Sequence, residues 1–187
     1  MDLNELQKIA SCCTLCELHK GRKASVFARG NPNSSIMILG MCPGPDENVI
    51  GSPFVGRAGK ILDEILRNVF TTVDDPSNCV YITNIVKCFV KPGIKLEECW
   101  IDTCLPYFLV QLYLIKPKVI IGLGGDVCNY LLNSDTPIGK LRDRVYEYMG
   151  FKLICSYHPS YLARKGGSQH PDFSKVVKDF RKAIDLV

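Results

Sequence analysis

Three short apolar runs constrain the fold of this chain more than any other feature. Each ends at a glycine or polar residue, and each is followed by a stretch with helical spacing. Ser35-Ile36-Met37-Ile38-Leu39 stops at Gly40 and runs into the turn-forming Cys42-Pro43-Gly44-Pro45. Val80-Tyr81-Ile82-Thr83, β-branched and aromatic, stops at Asn84, and Lys118-Val119-Ile120-Ile121-Gly122-Leu123 stops at Gly124-Gly125. Between them, Ile61, Leu62, Ile65, Leu66 and Val69 form one face of a helix over 58–69. A second helical stretch covers 96–115 with a break expected at Pro106, a third runs from Gly124-Gly125 to Leu132, and Phe173 to Ile184 closes the chain as an amphipathic helix. Val145-Tyr146-Glu147-Tyr148 and Lys152-Leu153-Ile154-Cys155, split by Met149-Gly150-Phe151, predict a hairpin. Strands that alternate with helices predict a three-layer α/β/α sandwich with a mainly parallel central sheet. Ligands in such sheets sit beyond the carboxyl ends of the strands. Three polar segments fall there and should converge on one cleft: Gly40 to Asp46, Asn84, and His158-Pro159-Ser160.

The chain's 187 residues, 47% hydrophobic and 22% charged, suffice for a single domain spanning 1–187 with one sizeable core. No apolar run is long enough to span a bilayer, and Met1-Asp2-Leu3-Asn4-Glu5 lacks the basic-then-apolar opening of a secretory signal. An intracellular monomer with no membrane partner is therefore expected, in cytoplasm or nucleoid, or in a host cell's nucleus or cytoplasm if the chain is viral. The formal charge of +4 favours an anionic partner only mildly.

Ten cysteines in a chain without a secretion signal point to metal or buried thiols before disulfides. Leu3 to Ala10 reads as a short helix that runs into Cys12-Cys13-Thr14-Leu15-Cys16, where Cys13 and Cys16 form a C-x-x-C pair able to grip one metal or cluster. Cys88 and Cys104 are the best further ligands, beside Lys87 and Pro106, with Cys12, Cys79 and Cys99 in competition. Spacing alone leaves a four-thiolate iron–sulfur cluster, four-thiolate zinc and buried free thiols all open.

Gly40-Met41-Cys42-Pro43-Gly44, then Glu47, then Gly51-Ser52-Pro53-Phe54-Val55-Gly56-Arg57-Ala58-Gly59 resembles the first motif of the family 4 uracil-DNA glycosylases. Tyr81-Ile82-Thr83-Asn84-Ile85-Val86-Lys87-Cys88 resembles their second, and His158-Pro159-Ser160-Tyr161-Leu162-Ala163-Arg164 their third. The similarity extends from about Cys12 to the closing helix. It implies a 4Fe–4S cluster, structural in role, on Cys13, Cys16, Cys88 and Cys104, with Cys104-Leu105-Pro106 in place of Cys99. It also implies a DNA partner containing uracil, flipped from the helix and cut at its N-glycosidic bond in base excision repair. Phe54 would stack on the base, Asn84 would read its polar edge, His158 would act catalytically at O2, and Met41, Cys42 and Pro43 would line the pocket. Leu162 with Tyr161 would wedge into the vacated duplex, and Arg57, Lys87, Ser160 and Arg164 would meet the DNA. These roles suit the chemistry. A base must leave the stack to be reached, an amide can match uracil's O4 acceptor and N3–H donor, and a donor at O2 stabilises the departing pyrimidine anion. Singly, each residue has an ordinary reading too: Phe54 as core, Asn84 as a turn residue, His158 as a surface histidine.

The first motif departs from the family pattern. Met41 stands where family 4 enzymes usually carry the Glu that orients or activates water, and Cys42 stands where the single-strand-selective branch has Asn. The covalent uracil-trapping branch has a reactive His after its second motif, and Phe89 to Lys95 contains none. Asp46 and Glu47 are the nearby carboxylates. The sequence thus predicts a weakened glycosylase or, as the alternative, a protein that binds uracil-containing or damaged DNA without cutting it. A zinc-type nucleic-acid module without a base pocket would leave Phe54, Asn84 and His158 unexplained.

Overall fold

The computed structural model describes residues 1–187. Six strands form one sheet: β1 (Ala28–Gly30), β2 (Ile36–Gly40), β3 (Tyr81–Asn84), β4 (Val119–Leu123), β5 (Val145–Tyr148) and β6 (Phe151–Ser156). Their order is β1-β3-β2-β4-β6-β5. The inner four are parallel, and β1 and β5 close the edges in antiparallel fashion. The helices are α1 (Leu3–Ser11), α2 (Pro45–Ile50), α3 (Arg57–Val69), α4 (Glu98–Ile115), α5 (Gly125–Leu132), α6 (Ile138–Leu141), α7 (Pro159–Arg164) and α8 (Asp172–Ile184).

Side-chain alternation divides the core into two layers. From β2, Met37 and Leu39 join Ile120, Leu153 and Cys155 on the face covered by α1, α4 and α5. Ile36 and Ile38 join Ile82, Ile121 and Ile154 on the face covered by α3 and α8. Every residue of β2, β3 and β4 is buried, as expected for strands covered on both sides. Each fully buried Ile or Leu contributes about 1.5–3 kcal/mol relative to exposure, so the sheet centre is the rigid frame for whatever its strand ends carry.

Two local expectations differ from the outcome. Pro106 does not break its helix: α4 runs unbroken from Glu98 to Ile115 with Pro106 inside it. An interior proline costs about 3 kcal/mol, but α4 buries Ile101, Cys104, Tyr107, Phe108, Gln111 and Leu112, and this packing outweighs one lost hydrogen bond. Pro45 and Asp46, placed in the polar segment after the first apolar run, instead open α2, which has Pro45 in its first turn and ends at left-handed Gly51. The β5–β6 hairpin forms as expected, with Met149 and Gly150 both at positive φ.

Candidate functional site

The carboxyl ends of the four parallel strands open into a cleft of about 660 Å³. Gly40, Asn84 and Leu123 end β2, β3 and β4, and His158 follows β6. Met41, Cys42, Pro43, Phe54, Arg57, Asn84, Ser160 and Arg164 share its wall with His158.

Asn84 is buried at the cleft floor, and its Oδ1 has no hydrogen-bond partner in the protein. A buried acceptor left unpaired costs about 1–3 kcal/mol, so this position favours a ligand that brings an N–H. Gly40 makes room for it: a Cβ there would lie 2.3 Å from Asn84 Oδ1 and 2.9 Å from Phe54 Cζ.

Phe54 holds a left-handed backbone conformation, φ 54°, that non-glycine residues seldom adopt. Its neighbours enforce it. Glu47, itself buried, accepts from the backbone N–H groups of Val55 at 2.8 Å and Gly56 at 2.9 Å. Arg29 donates to the Phe54 carbonyl at 3.3 Å while paired with Asp63 at 2.7 Å. Gly59 lets the same carbonyl approach, since a Cβ there would lie 1.8 Å from the oxygen. The result aims the Phe54 ring into the cleft, 5.8 Å between centroids from His158 and tilted 32° to it.

His158 caps α7: its Nδ1 accepts the Ser160 N–H at 3.0 Å and lies 2.8 Å from Ser160 Oγ. An imidazole that accepts at Nδ1 carries its proton on Nε2, which leaves Nε2–H as a donor for the cleft. Burial pushes the His158 pKa down to about 4, so the ring is neutral at physiological pH. Gly124, at φ +93°, permits the close approach, because a Cβ there would lie 3.0 Å from His158 Cβ. Upstream, Ser156 is anchored by Asp179, whose carboxylate is held by Arg142 through two bonds of 2.7 Å. That buried ion pair sets the end of β6 from which His158 projects.

Three carboxylates line the cleft: Asp46, Glu47 and Asp126. Glu47 spends one oxygen on the Phe54 loop, and Asp46 Oδ2 crowds Gly56, where a Cβ would lie 2.4 Å away. Asp126, in the first turn of α5, was not among the residues singled out from sequence. It follows Gly124-Gly125 at the end of β4, the one parallel strand whose loop lay outside the three motifs. Its charge favours protonated His158 and, with burial as the larger cause, raises the neighbouring Cys42 thiol to about 11. Cys42 is therefore a neutral thiol, not a thiolate nucleophile.

Two residues expected at the DNA surface lie elsewhere. Lys87 is 2% exposed, and its ammonium donates to Thr83 Oγ1 at 2.8 Å, to Gln111 Oε1 at 2.6 Å and to the Asn84 carbonyl. Burial lowers its pKa to about 7. Its donors brace the end of β3 and are not free for phosphate. Leu162 is 0% exposed, because α7 turns it into the layer formed with α3 and α8. Tyr161 is half-buried, with its hydroxyl on Asp172 at 2.8 Å. Arg57 and Arg164 are exposed at the rim, although Arg57 also donates to the Ala163 carbonyl.

Cys13, Cys16, Cys88 and Cys104 line a second, separate cavity between the loop after α1, the end of β3 and α4. Two donors face its sulfurs: Lys87 N–H to Cys104 Sγ at 3.2 Å and Arg22 Nη1 to Cys88 Sγ at 3.3 Å. Such donors favour anionic sulfur, against burial, which raises the Cys88 thiol and takes Cys104 to about 11. No three ligating side chains converge tightly enough to hold a single metal ion. Cys12 and Cys99 are exposed and outside the cavity.

A family model described as the uracil DNA glycosylase superfamily matches residues 27–181. A type-4 uracil-DNA glycosylase from Saccharolobus solfataricus is 35% identical over 184 residues, 94% of this chain and 82% of that protein. One from Thermotoga maritima is 34% identical, covering 94% of this chain and 89% of its own length, and one from Pyrobaculum aerophilum is 33% identical, covering 88% and 86%. With a match over most of its length and relatives at this identity, the chain belongs to the uracil DNA glycosylase superfamily.

Proposed function

We propose that the protein is a DNA-repair glycosylase that extrudes uracil from DNA and hydrolyses its N-glycosidic bond. The observation that carries this reading is the unpartnered, buried Asn84 Oδ1 at the floor of a cleft that also presents an aromatic face and a neutral imidazole N–H. Uracil matches all three: N3–H donates to Asn84 Oδ1, the ring stacks on Phe54, and O2 accepts from His158 Nε2–H. Cytosine offers an acceptor at N3 and a donor at C4, so it opposes the amide.

The reaction breaks the bond between C1′ of the sugar and N1 of the base. The electron pair passes to the uracil ring and gathers at N1 and O2, where a fixed donor such as His158 is worth about 10²–10³-fold. Water then adds to C1′ and gives up a proton, leaving an abasic sugar. Met41 has only a weakly accepting thioether and no carboxylate with which to orient or activate that water. Asp46 and Asp126 are the two cleft carboxylates without a hydrogen bond to another residue, and we assign the task to Asp126, whose charge acts on both His158 and Cys42; its place at the start of α5 is less direct than a group on the first-motif loop, and the enzyme is accordingly slow. A well-placed base contributes about 10²–10⁴-fold, so excision is reduced but real. Arg57, Arg164 and Ser160 at the rim position the phosphates.

The second cavity fits a 4Fe–4S cluster held by Cys13, Cys16, Cys88 and Cys104. Bound there, the cluster would supply a cross-link that ties the N-terminal loop and α4 to the segment after β3. The deciding experiment is single-turnover release of uracil from a labelled oligonucleotide with protein in excess. Uracil and an abasic product support the reading; tight binding without release after prolonged incubation overturns it.

A further inference from the structure

With Leu162 sealed in the core, the protein needs another apolar group to fill the gap that a departing base leaves in duplex DNA. The segment after β3 that lines the cleft carries one. Phe89, Val90 and Pro92 are its lining residues, and the chain reverses in a tight turn over Lys91-Pro92-Gly93-Ile94, closed by Ile94 N–H to the Lys91 carbonyl at 3.1 Å. Pro92 precedes Gly93 at φ +85°, the combination of a type II turn, in which proline fixes the first corner and glycine accepts the left-handed second. A Cβ on Gly93 would meet nothing within 4 Å, so the turn projects into open space. Its last residue, Ile94, is 55% exposed, with exposed Lys91 and Lys95 on either side.

An exposed isoleucine on a stiff turn at the rim of a cleft, bracketed by two cations, matches duplex DNA: the apolar tip suits a space between stacked bases and the ammonium groups suit the phosphates on either side of it. We propose that the 91–94 turn is the wedge of this protein, with Ile94 entering the vacated position and Lys91 and Lys95 on the flanking phosphates. This inference rests on the proposed function, and it makes the turn matter for double-stranded substrate alone, since a single strand has no stack to hold open.

The test compares Ile94→Ala and Ile94→Leu with wild type on uracil in single-stranded and double-stranded oligonucleotides of the same sequence. Ile94→Ala should slow duplex excision by about tenfold or more and leave single-strand excision within about twofold, and Ile94→Leu should restore the duplex rate. Lys91→Ala with Lys95→Ala should lower the slope of log affinity against log salt by nearly 2 for duplex, at about 0.9 per phosphate contact. Equal losses on both substrates would show that Ile94 supports the pocket or the fold, and unchanged duplex excision would show that it is idle; either result overturns the wedge. If wild type releases no uracil from either substrate, the proposed function fails, and 2-aminopurine placed beside the uracil still decides the wedge. Its fluorescence should rise when wild type binds the duplex and fail to rise with Ile94→Ala; the same rise with both overturns it.

Discussion

Gly40→Ala strikes both groups proposed to hold the base with a single methyl. The new Cβ would lie 2.3 Å from Asn84 Oδ1, 2.9 Å from Phe54 Cζ and 3.2 Å from Phe54 Cε2. Ordinary van der Waals contact starts near 3.4 Å, so the Asn84 amide must retreat by about 1 Å and the ring by about half that. Gly40 has an extended backbone in β2 and none of the left-handed geometry that would forbid alanine, so the fold itself should tolerate the change. A misplacement of about 1 Å in a reacting complex costs about 10²-fold in rate. Single-turnover uracil release from Gly40→Ala should therefore fall by about 10²-fold, with a melting temperature within a few degrees of wild type. The assay is excision with protein in excess, paired with a thermal melt to exclude unfolding. A rate within about threefold of wild type in a folded protein would refute the reasoning, because it would mean that Asn84 and Phe54 do not hold the base.

His158, with its pKa lowered to about 4 by burial, should show no imidazole titration near pH 6.5 in nitrogen-15 spectra. Because the folded ring binds fewer protons than the unfolded one between about pH 4 and 6.5, its contribution to stability is present above that window and falls as pH drops through it; a midpoint near 6.5 would contradict the burial of the ring. His158→Ala should remove most of the remaining uracil release. Met41→Glu should raise the single-turnover rate, toward the 10²–10⁴-fold of a general base, whereas Asp126→Asn should lower it by about tenfold or more with little change in DNA affinity; rates equal to wild type in both would show that water activation does not limit excision. Protein purified without oxygen should be brown. Cys13→Ser, Cys16→Ser, Cys88→Ser or Cys104→Ser should lose iron and sulfide together while Cys12→Ser and Cys99→Ser keep them, and stoichiometric zinc would overturn the cluster.

Local pattern was enough for the inner strands, the hairpin and the layers, but not for the short edge strand β1 (Ala28–Gly30), whose three residues carry no apolar run. Alternating apolar runs and helical faces at 36–40, 81–84 and 119–123 specify strands buried on both sides, and a strand with no polar face has few other ways to be covered. The meeting of Gly40, Asn84 and His158 also followed from sequence, because all parallel strands of such a sheet end on the same side. What sequence left undetermined was the direction and depth of individual side chains, which neighbours distant in the chain decide. Lys87 reads as a surface cation beside a motif, yet Gln111 of α4 and Thr83 supply buried acceptors that draw it inward. Leu162 lies in a string that suggests a wedge, yet α7 packs on α3 and rotates it into the core. Pro106 marks a break by local propensity, yet burial of the α4 face carries the helix through. Asp126 has no motif around it and gains its place only because β4 ends beside β2 and β6. Periodicity is a property of the neighbouring residues and survives in one dimension; whether a lysine, a leucine or a carboxylate faces water or ligand depends on the free energy of contacts between segments far apart in the chain, which only the folded structure brings together.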